Sequence, residues 1–459
     1  MSKASSALTE KNDPGASSLT PVTSRRDSVP DQAADSSVQK PGARRPKTTG
    51  RLCKFAVAVS LFAVANAALL NVAALKPKPL DRQSFEKDLA RADACGMPGA
   101  GWVARGYVEQ ETAPDIVVFG SSQMGGLQAA DAQTLNRTID FVEYHRAATL
   151  ERDLKARLSR QFNESGEQKR APGEITSYTL ALPGSMASDH YVMSRALFTP
   201  ALTPKIAVVG LSPRDFMDNF LPSPGATEQF HYFSRYIELG SLSAVAFPDL
   251  LGRVDWFMTE KMPLRRLSQA LLPAQALSSL AGDGTPGTAS DTRKNGDSLS
   301  AIKNNQLLTT IYTSSGNIKP GECLISPHMP DLFVDNTYEY RRRYRKTNPP
   351  VYGQELIFFK EFLKTMQQKG IATVIIGMPL IVSNRAQLPV SFWNKFRNDI
   401  GSLCRQYGAS WQDFSDSTAF DTSDFVDTVH LNARGGTKLS KIIADQIAGN
   451  AQAISALQK

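Results

Sequence analysis

Two unbroken apolar runs, Ile206-Ala207-Val208-Val209 and Val374-Ile375-Ile376, constrain this chain more than any other feature. A strand with one wet face alternates apolar and polar side chains. A run without alternation needs cover on both faces, as in a parallel sheet flanked by helices. Strands of this kind are predicted at Asp115–Phe119, Thr176–Leu182, Ile206–Leu211, Ala372–Met378 and Ser410–Phe414. Helix-like stretches lie between and after them: Ala147–Phe162, Leu356–Lys369, Phe392–Tyr407 and Gly436–Ala448. In Leu356–Lys369 the apolar positions Leu356, Phe359, Phe362, Leu363 and Met366 follow the helical period. Strands alternating with helices predict an α/β fold, a three-layer α/β/α sandwich on a parallel sheet.

That sandwich is expected over residues 113–450, with an insertion at 220–350 that breaks the alternation. The insertion holds amphipathic pieces around Phe230–Phe257 and Lys261–Leu280, then a Gly/Ser/Thr/Asp-rich segment, Ala281–Ser300. It is read as a cap over the ligand edge of the sheet or as a structural side domain. Residues 1–54 are rich in Ser, Pro, Ala, Asp and Lys/Arg without apolar period, and read as a disordered cytoplasmic tail. Through Lys54 the chain has 10 Lys and Arg against 5 Asp and Glu, so most of the net charge of +8 belongs to this tail. Nucleic-acid binding is therefore not expected.

The run Phe55–Leu75 is free of charge and long enough to cross a bilayer as a helix, so 55–75 is read as a transmembrane anchor. The basic cluster Arg44, Arg45, Lys47, Arg51 and Lys54 would mark the cytoplasmic side. A signal peptide cleaved near Ala65-Asn66-Ala67 is the rival, although such peptides begin with a short charged region. A buried core helix is the third reading. A stalk is expected at 76–112, and an anchor of this orientation puts residues 76–459 outside the cytoplasm. Of the four cysteines, Cys95 and Cys323 could pair in an oxidising compartment, or all could be reduced and buried. No Cys/His spacing matches a metal site, and no cofactor is expected.

Ligands of open α/β sheets bind at the carboxyl ends of the strands. Four polar segments fall at or near this rim. Gly120-Ser121-Ser122-Gln123 places serines on a tight turn after the first strand. It is not a Gly-x-Ser-x-Gly elbow, because position 124 is Met. Leu182-Pro183-Gly184-Ser185 offers a backbone N–H at Gly184 to a developing oxyanion. Gly210-Leu211-Ser212-Pro213-Arg214-Asp215-Phe216 carries Arg214 and Asp215, which could pair with each other or with a substrate. Asp427-Thr428-Val429-His430 sets a carboxylate three residues before an imidazole, the spacing that lets it bind Nδ1 and leave Nε2 free as a base. Of the other histidines, His190 reads as a polar surface residue, and His145, His231 and His328 lack a suitable local acid.

In these blocks and their order the chain resembles the SGNH (GDSL-like) hydrolases. The resemblance implies Ser122 as nucleophile, His430 as base and Asp427 as its orienting acid, with Gly184 in the glycine block. It departs at the third block, where the family has Gly-x-Asn-Asp and this chain has Gly210-Leu211-Ser212-Pro213. Ser212 or a nearby group such as Asn219 would have to replace the missing donor. One anchor with a Gly-Ser-Ser variant looks most like the branch that serves bacterial surface polymers, including alginate O-acetylation and D-alanyl transfer proteins. The resemblance then implies a serine esterase or O-acyltransferase at the cell membrane, with an acylated polysaccharide as substrate and a separate membrane-bound O-acyltransferase as partner. A non-catalytic glycan-binding or assembly partner of the same fold is the alternative, and a lipid esterase is a third.

Overall fold

The computed structural model describes residues 49–69, 77–83, 85–86, 99–165, 174–258, 262, 321, 324–327 and 332–458. The chain divides into two units, Met1–Val59 and Ser60–Lys459, and the sheet lies wholly in the second. The strands are β1 (Ile116–Phe119), β2 (Ile139–Asp140), β3 (Ser177–Thr179), β4 (Ile206–Leu211), β5 (Leu324–Ile325), β6 (Ala372–Gly377) and β7 (Ser410–Asp413). Five of them form one parallel sheet in the order β3-β1-β4-β6-β7. The short β2 and β5 pair antiparallel to each other. The helices used below are α1 (Thr49–Leu69), α2 (Gly99–Val108), α3 (Gly126–Leu135), α4 (Ala148–Ser165), α5 (Ala187–Leu197), α6 (Thr337–Arg343), α7 (Pro349–Gln368), α8 (Val390–Tyr407) and α9 (Ala433–Ala448).

The unbroken apolar runs are explained by cover on both faces. Successive residues of one strand enter different cores. Ile116 and Val118 of β1, with Ile206, Val208, Val374 and Ile376, meet α3, α4 and α9. Val117, Phe119, Ala207, Val209 and Ile375 meet α2, α5, α7 and α8 on the other face. Helix α7 contributes Phe358, Phe359 and Phe362, all fully buried, each worth about 1.5–3 kcal/mol of apolar transfer. The predicted strands agree with the structure at Ile206–Leu211 and differ by a residue or so at three others. The second is shorter than Thr176–Leu182, yet its backbone continues the ladder through Leu180 and Leu182, which donate to the carbonyls of Val118 and Gly120.

Two expectations are corrected. Residues 76–112 are not simply a stalk: Leu80 and Phe85 are buried, and α2 sends Val103, Ala104 and Tyr107 into the core. Part of the 220–350 insertion also joins this core, through Phe230, Phe233, Phe247 and Trp256. His190 is not a surface residue but wholly buried. Cys404 is free and buried, while Cys95 and Cys323 lie outside the described residues, as does Ala281–Ser300.

The expected anchor begins inside α1, which starts at Thr49, ahead of Phe55, and is described as far as Leu69. Val57, Val59, Leu61, Phe62 and Val64 are exposed on it, and the Asn66 amide is satisfied by the Phe62 carbonyl at 2.9 Å. Among the described residues no helix is long and apolar enough to cross a membrane. Residues 70–75 of the expected anchor lie outside them.

The His190 ring packs against Phe119 and Phe362, and among the described residues neither ring nitrogen has a hydrogen bond of normal geometry. Burial pushes its pKa down to about 3, opposed by the nearby Gly120 carbonyl. The imidazole is therefore neutral in the fold. Below its ordinary pKa of about 6.5 the unfolded chain takes up a proton that the fold refuses, so stability present at neutral pH is lost on acidification. At pH 5 this costs about 2 kcal/mol. Urea unfolding at pH 7 and pH 5 is expected to show a larger acid loss in the wild type than in His190→Phe, by about that amount. Equal losses would contradict it.

Candidate active site

Strand β1 ends at Phe119 and runs into Gly120, whose φ is +156°. A side chain there would run into Met124 and come within 3.3 Å of the Gly210 carbonyl. Gly210 is equally confined, by Met124 and Met378. Met124 thus fills the space between two strand ends that glycine leaves open. Ser121 is buried, and Ser122 opens a single 3-10 turn, Ser122–Gly125, that leads into α3. The nucleophile candidate therefore stands at the rim, half-buried, on a rigid turn.

The candidate acid and base come from a pinched loop before α9. Phe425 and Leu431 form an antiparallel bridge, and the Val426 N–H donates to the His430 carbonyl at 2.9 Å. Inside the pinch, Asp427 Oδ1 accepts the backbone N–H groups of Val429 and His430, both at 2.8 Å. Its Oδ2 lies 2.6 Å from His430 Nδ1. One carboxylate oxygen folds the turn and the other fixes the imidazole. Nδ1–H donates to Asp427, so Nε2 is left as the acceptor. Ser122 Oγ lies 2.8 Å from that Nε2. The His430 side chain is 6% exposed and Asp427 15%, so these contacts lie largely out of water.

The two halves are 308 positions apart and meet through a helix crossing. Helix α3 follows Ser122, and α9 follows His430. They approach at glycines: a side chain on Gly436 would overlap the Gly126 carbonyl, and one on Gly126 would come within 2.8 Å of Leu431. Asn432 caps α9 by accepting the Gly435 N–H at 3.0 Å.

A strap from the end of the insertion holds the acid–base loop from outside. The Val334 N–H donates to the Val426 carbonyl at 2.8 Å. Asn336 Oδ1 accepts both the N–H and the hydroxyl of Thr428. Asn384 reaches the same hydroxyl at 3.1 Å. Sequence reading missed Asn336 and Asn384. Neither belongs to a local pattern, and only their partner, Thr428, lies inside a recognisable block.

The remaining predicted residues separate by what holds them. Gly184, with φ +78°, sits just past β3, and its backbone N–H and that of Ser122 have no acceptor among the described residues. Ser212 is committed to Asp215, through its N–H at 2.7 Å and its hydroxyl at 3.2 Å. Asn219 is drawn away from the oxyanion role expected of it: its amide nitrogen donates to the carbonyls of Arg343 and Lys346, clasping the strap. Arg214 is paired with Asp218 at 3.2 Å, donates to the Ser185 carbonyl at 2.9 Å and lies 3.6 Å from Asp215. Asp218 also binds Arg343 of α6.

Behind the rim lies a layer of buried acids. Burial pushes Asp189 up to about 7 and Asp215 up to about 6, with Arg214 opposing the shift in both. Burial also holds Glu355 well above the usual carboxylate range, and Asp189 adds to it. Glu355 accepts the Ser188 N–H at 2.7 Å at the start of α5. Burial acts against the charge of Arg214, but Asp218 and Asp215 outweigh it, so the guanidinium stays protonated. Among the described residues no cluster of His, Cys, Asp and Glu could hold a metal ion.

Gly436→Ala is expected to force α9 off α3. It should destabilise the fold by about 1–3 kcal/mol and slow labelling of Ser122 by a fluorophosphonate. An unchanged urea midpoint would contradict the close approach.

Comparison with protein-family models gives no match, and comparison with curated proteins gives none.

Proposed function

We propose that this chain is a membrane-anchored, extracytoplasmic serine esterase or O-acyltransferase of the SGNH (GDSL-like) type, acting on acyl esters of surface glycans. The relay Ser122–His430–Asp427, with contacts of 2.8 and 2.6 Å, is the single observation that carries it. An alcohol becomes a useful nucleophile only when a base takes its proton as it attacks. His430 Nε2 is placed for that, and Asp427 stabilises the imidazolium that forms.

In the first step Ser122 Oγ bonds to the ester carbonyl carbon, its proton passes to His430 Nε2, and the carbonyl electron pair moves onto oxygen. The backbone N–H groups of Ser122 and Gly184 hold that oxyanion. Collapse breaks the bond to the leaving alkoxide, which takes the proton back from His430 and departs as an alcohol. The acyl group then sits on Ser122. Water or a sugar hydroxyl attacks it with loss of a proton to His430, and collapse frees Ser122, which regains that proton. Hydrolysis and transfer differ only in this second nucleophile.

The uncharged run 55–75 behind its basic cluster supports the anchor, as do the exposed apolar side chains of α1. A separate membrane-bound O-acyltransferase would supply or receive the acyl group, a step that rests on resemblance. The alternative is a non-catalytic glycan-binding or assembly partner. It is favoured by one observation, Ser212-Pro213 in place of the usual third-block asparagine.

The full chain in detergent is expected to hydrolyse an aryl acetate and to be labelled by a fluorophosphonate. Ser122→Ala should abolish both. Turnover and labelling that persist unchanged in Ser122→Ala would defeat the mechanism, and normal surface acylation in a strain carrying the same variant would favour the binding role.

A further inference from the structure

Arg214 is joined to two strand ends at once. Its backbone follows β4, in the 3-10 turn Pro213–Phe216. Its Nη1 donates to the carbonyl of Ser185, which follows β3, at 2.9 Å. The strand order is β3-β1-β4, so β1 lies between them. Neighbouring strands are about 4.8 Å apart, and the gap from β4 to β3 is therefore about 10 Å. An arginine bonded to both sides lies along the rim beside the end of β1, which leads into Ser121 and Ser122.

The guanidinium is held rigidly and is not used up. Nε bonds to Asp218 at 3.2 Å and Nη1 to Ser185. Nη2 has no hydrogen-bond partner among the described residues, and the side chain keeps 12% of its surface exposed. A side chain added at Gly184 would stand 3.7 Å from Nη2, in ordinary contact with it. Gly184 and the Arg214 guanidinium are thus neighbours at the rim, and neither the Gly184 N–H nor Nη2 has a hydrogen-bond partner among the described residues. Asp218, itself bound to Arg343, balances the charge of Arg214. The family's asparagine donor is absent, and the two replacements expected from sequence, Ser212 and Asn219, are committed elsewhere.

We infer that Arg214 Nη2–H is the third oxyanion donor of this site, completing a set with the backbone N–H groups of Ser122 and Gly184. This rests on the ester chemistry proposed above. It makes Arg214 a catalytic residue, because Nη2 touches the oxygen that becomes negative. A fixed cation gains more from that oxyanion than from the neutral ester carbonyl, so its effect falls on turnover more than on binding.

The test uses the full chain in detergent with an aryl acetate, comparing wild type, Ser122→Ala, Arg214→Gln and Arg214→Lys. Arg214→Gln is expected to lower kcat by about 10²- to 10³-fold with KM little changed. Arg214→Lys keeps the charge but cannot bind Asp218, Ser185 and substrate together, and should also be impaired. A folded Arg214→Gln with wild-type kcat would overturn the inference. If Arg214→Gln does not fold, the wild type decides. A structure after a fluorophosphonate has lost fluoride to Ser122 should place Nη2 about 2.7–3.1 Å from the phosphoryl oxygen. A distance well beyond that range would overturn the inference. Retained activity in Ser122→Ala, or no labelling of Ser122, would instead bring down the ester chemistry and this inference with it.

Discussion

The close approach of Gly126 and Gly436 is the constraint on which the site depends. It brings α3 and α9 together so tightly that a single methyl group on either glycine has no room. Ser122 stands just before one helix and His430 just before the other. Their separation is therefore set by a backbone-to-backbone contact, the least deformable kind. The sheet supplies the second coordinate. Parallel strands with both faces covered end at one rim, so β1, β3 and β4 deliver Ser122, Gly184 and Arg214 to one edge.

The acid–base loop has no sheet to hold it and is fixed by hydrogen bonds instead. Asp427 divides its oxygens between the turn and the imidazole. Asn336 and Asn384 grip Thr428 from outside. The strap bearing Asn336 is tied in turn to the rim after β4 through Asn219, and through Arg343 to Asp218, the partner of Arg214. The insertion is thereby connected to both halves of the site. Such a network rigidifies a site when its members are satisfied, and low exposure strengthens each bond.

Much of this was legible in the sequence where a local pattern exists. The unbroken apolar runs located the strands, because burial on both faces leaves a mark in consecutive residues. Asp427 and His430 were legible because three residues separate them. What escaped was set by tertiary contact. Residues 76–112 suggested a stalk, yet they hold α2, whose Val103, Ala104 and Tyr107 are buried in the core. His190 follows Ser188 and Asp189, a polar stretch that suggests surface. Those groups are buried because Glu355 and Thr227 satisfy them. Asn219 looked like a better stand-in for an amide donor than Arg214. Only the tertiary contacts separate them: Arg214 reaches the Ser185 carbonyl beyond β3, while Asn219 turns to the strap.

The most direct measurement of the central claim, that these remote segments form one working relay, is rapid acid quench of the full chain turning over an aryl acetate, followed by peptide mass analysis. An acetyl group carried on the peptide containing Ser122, and lost in His430→Ala, is the predicted result. Hydrolysis with Ser122 unmodified, or acylation of Ser122 that is indifferent to His430, would contradict it.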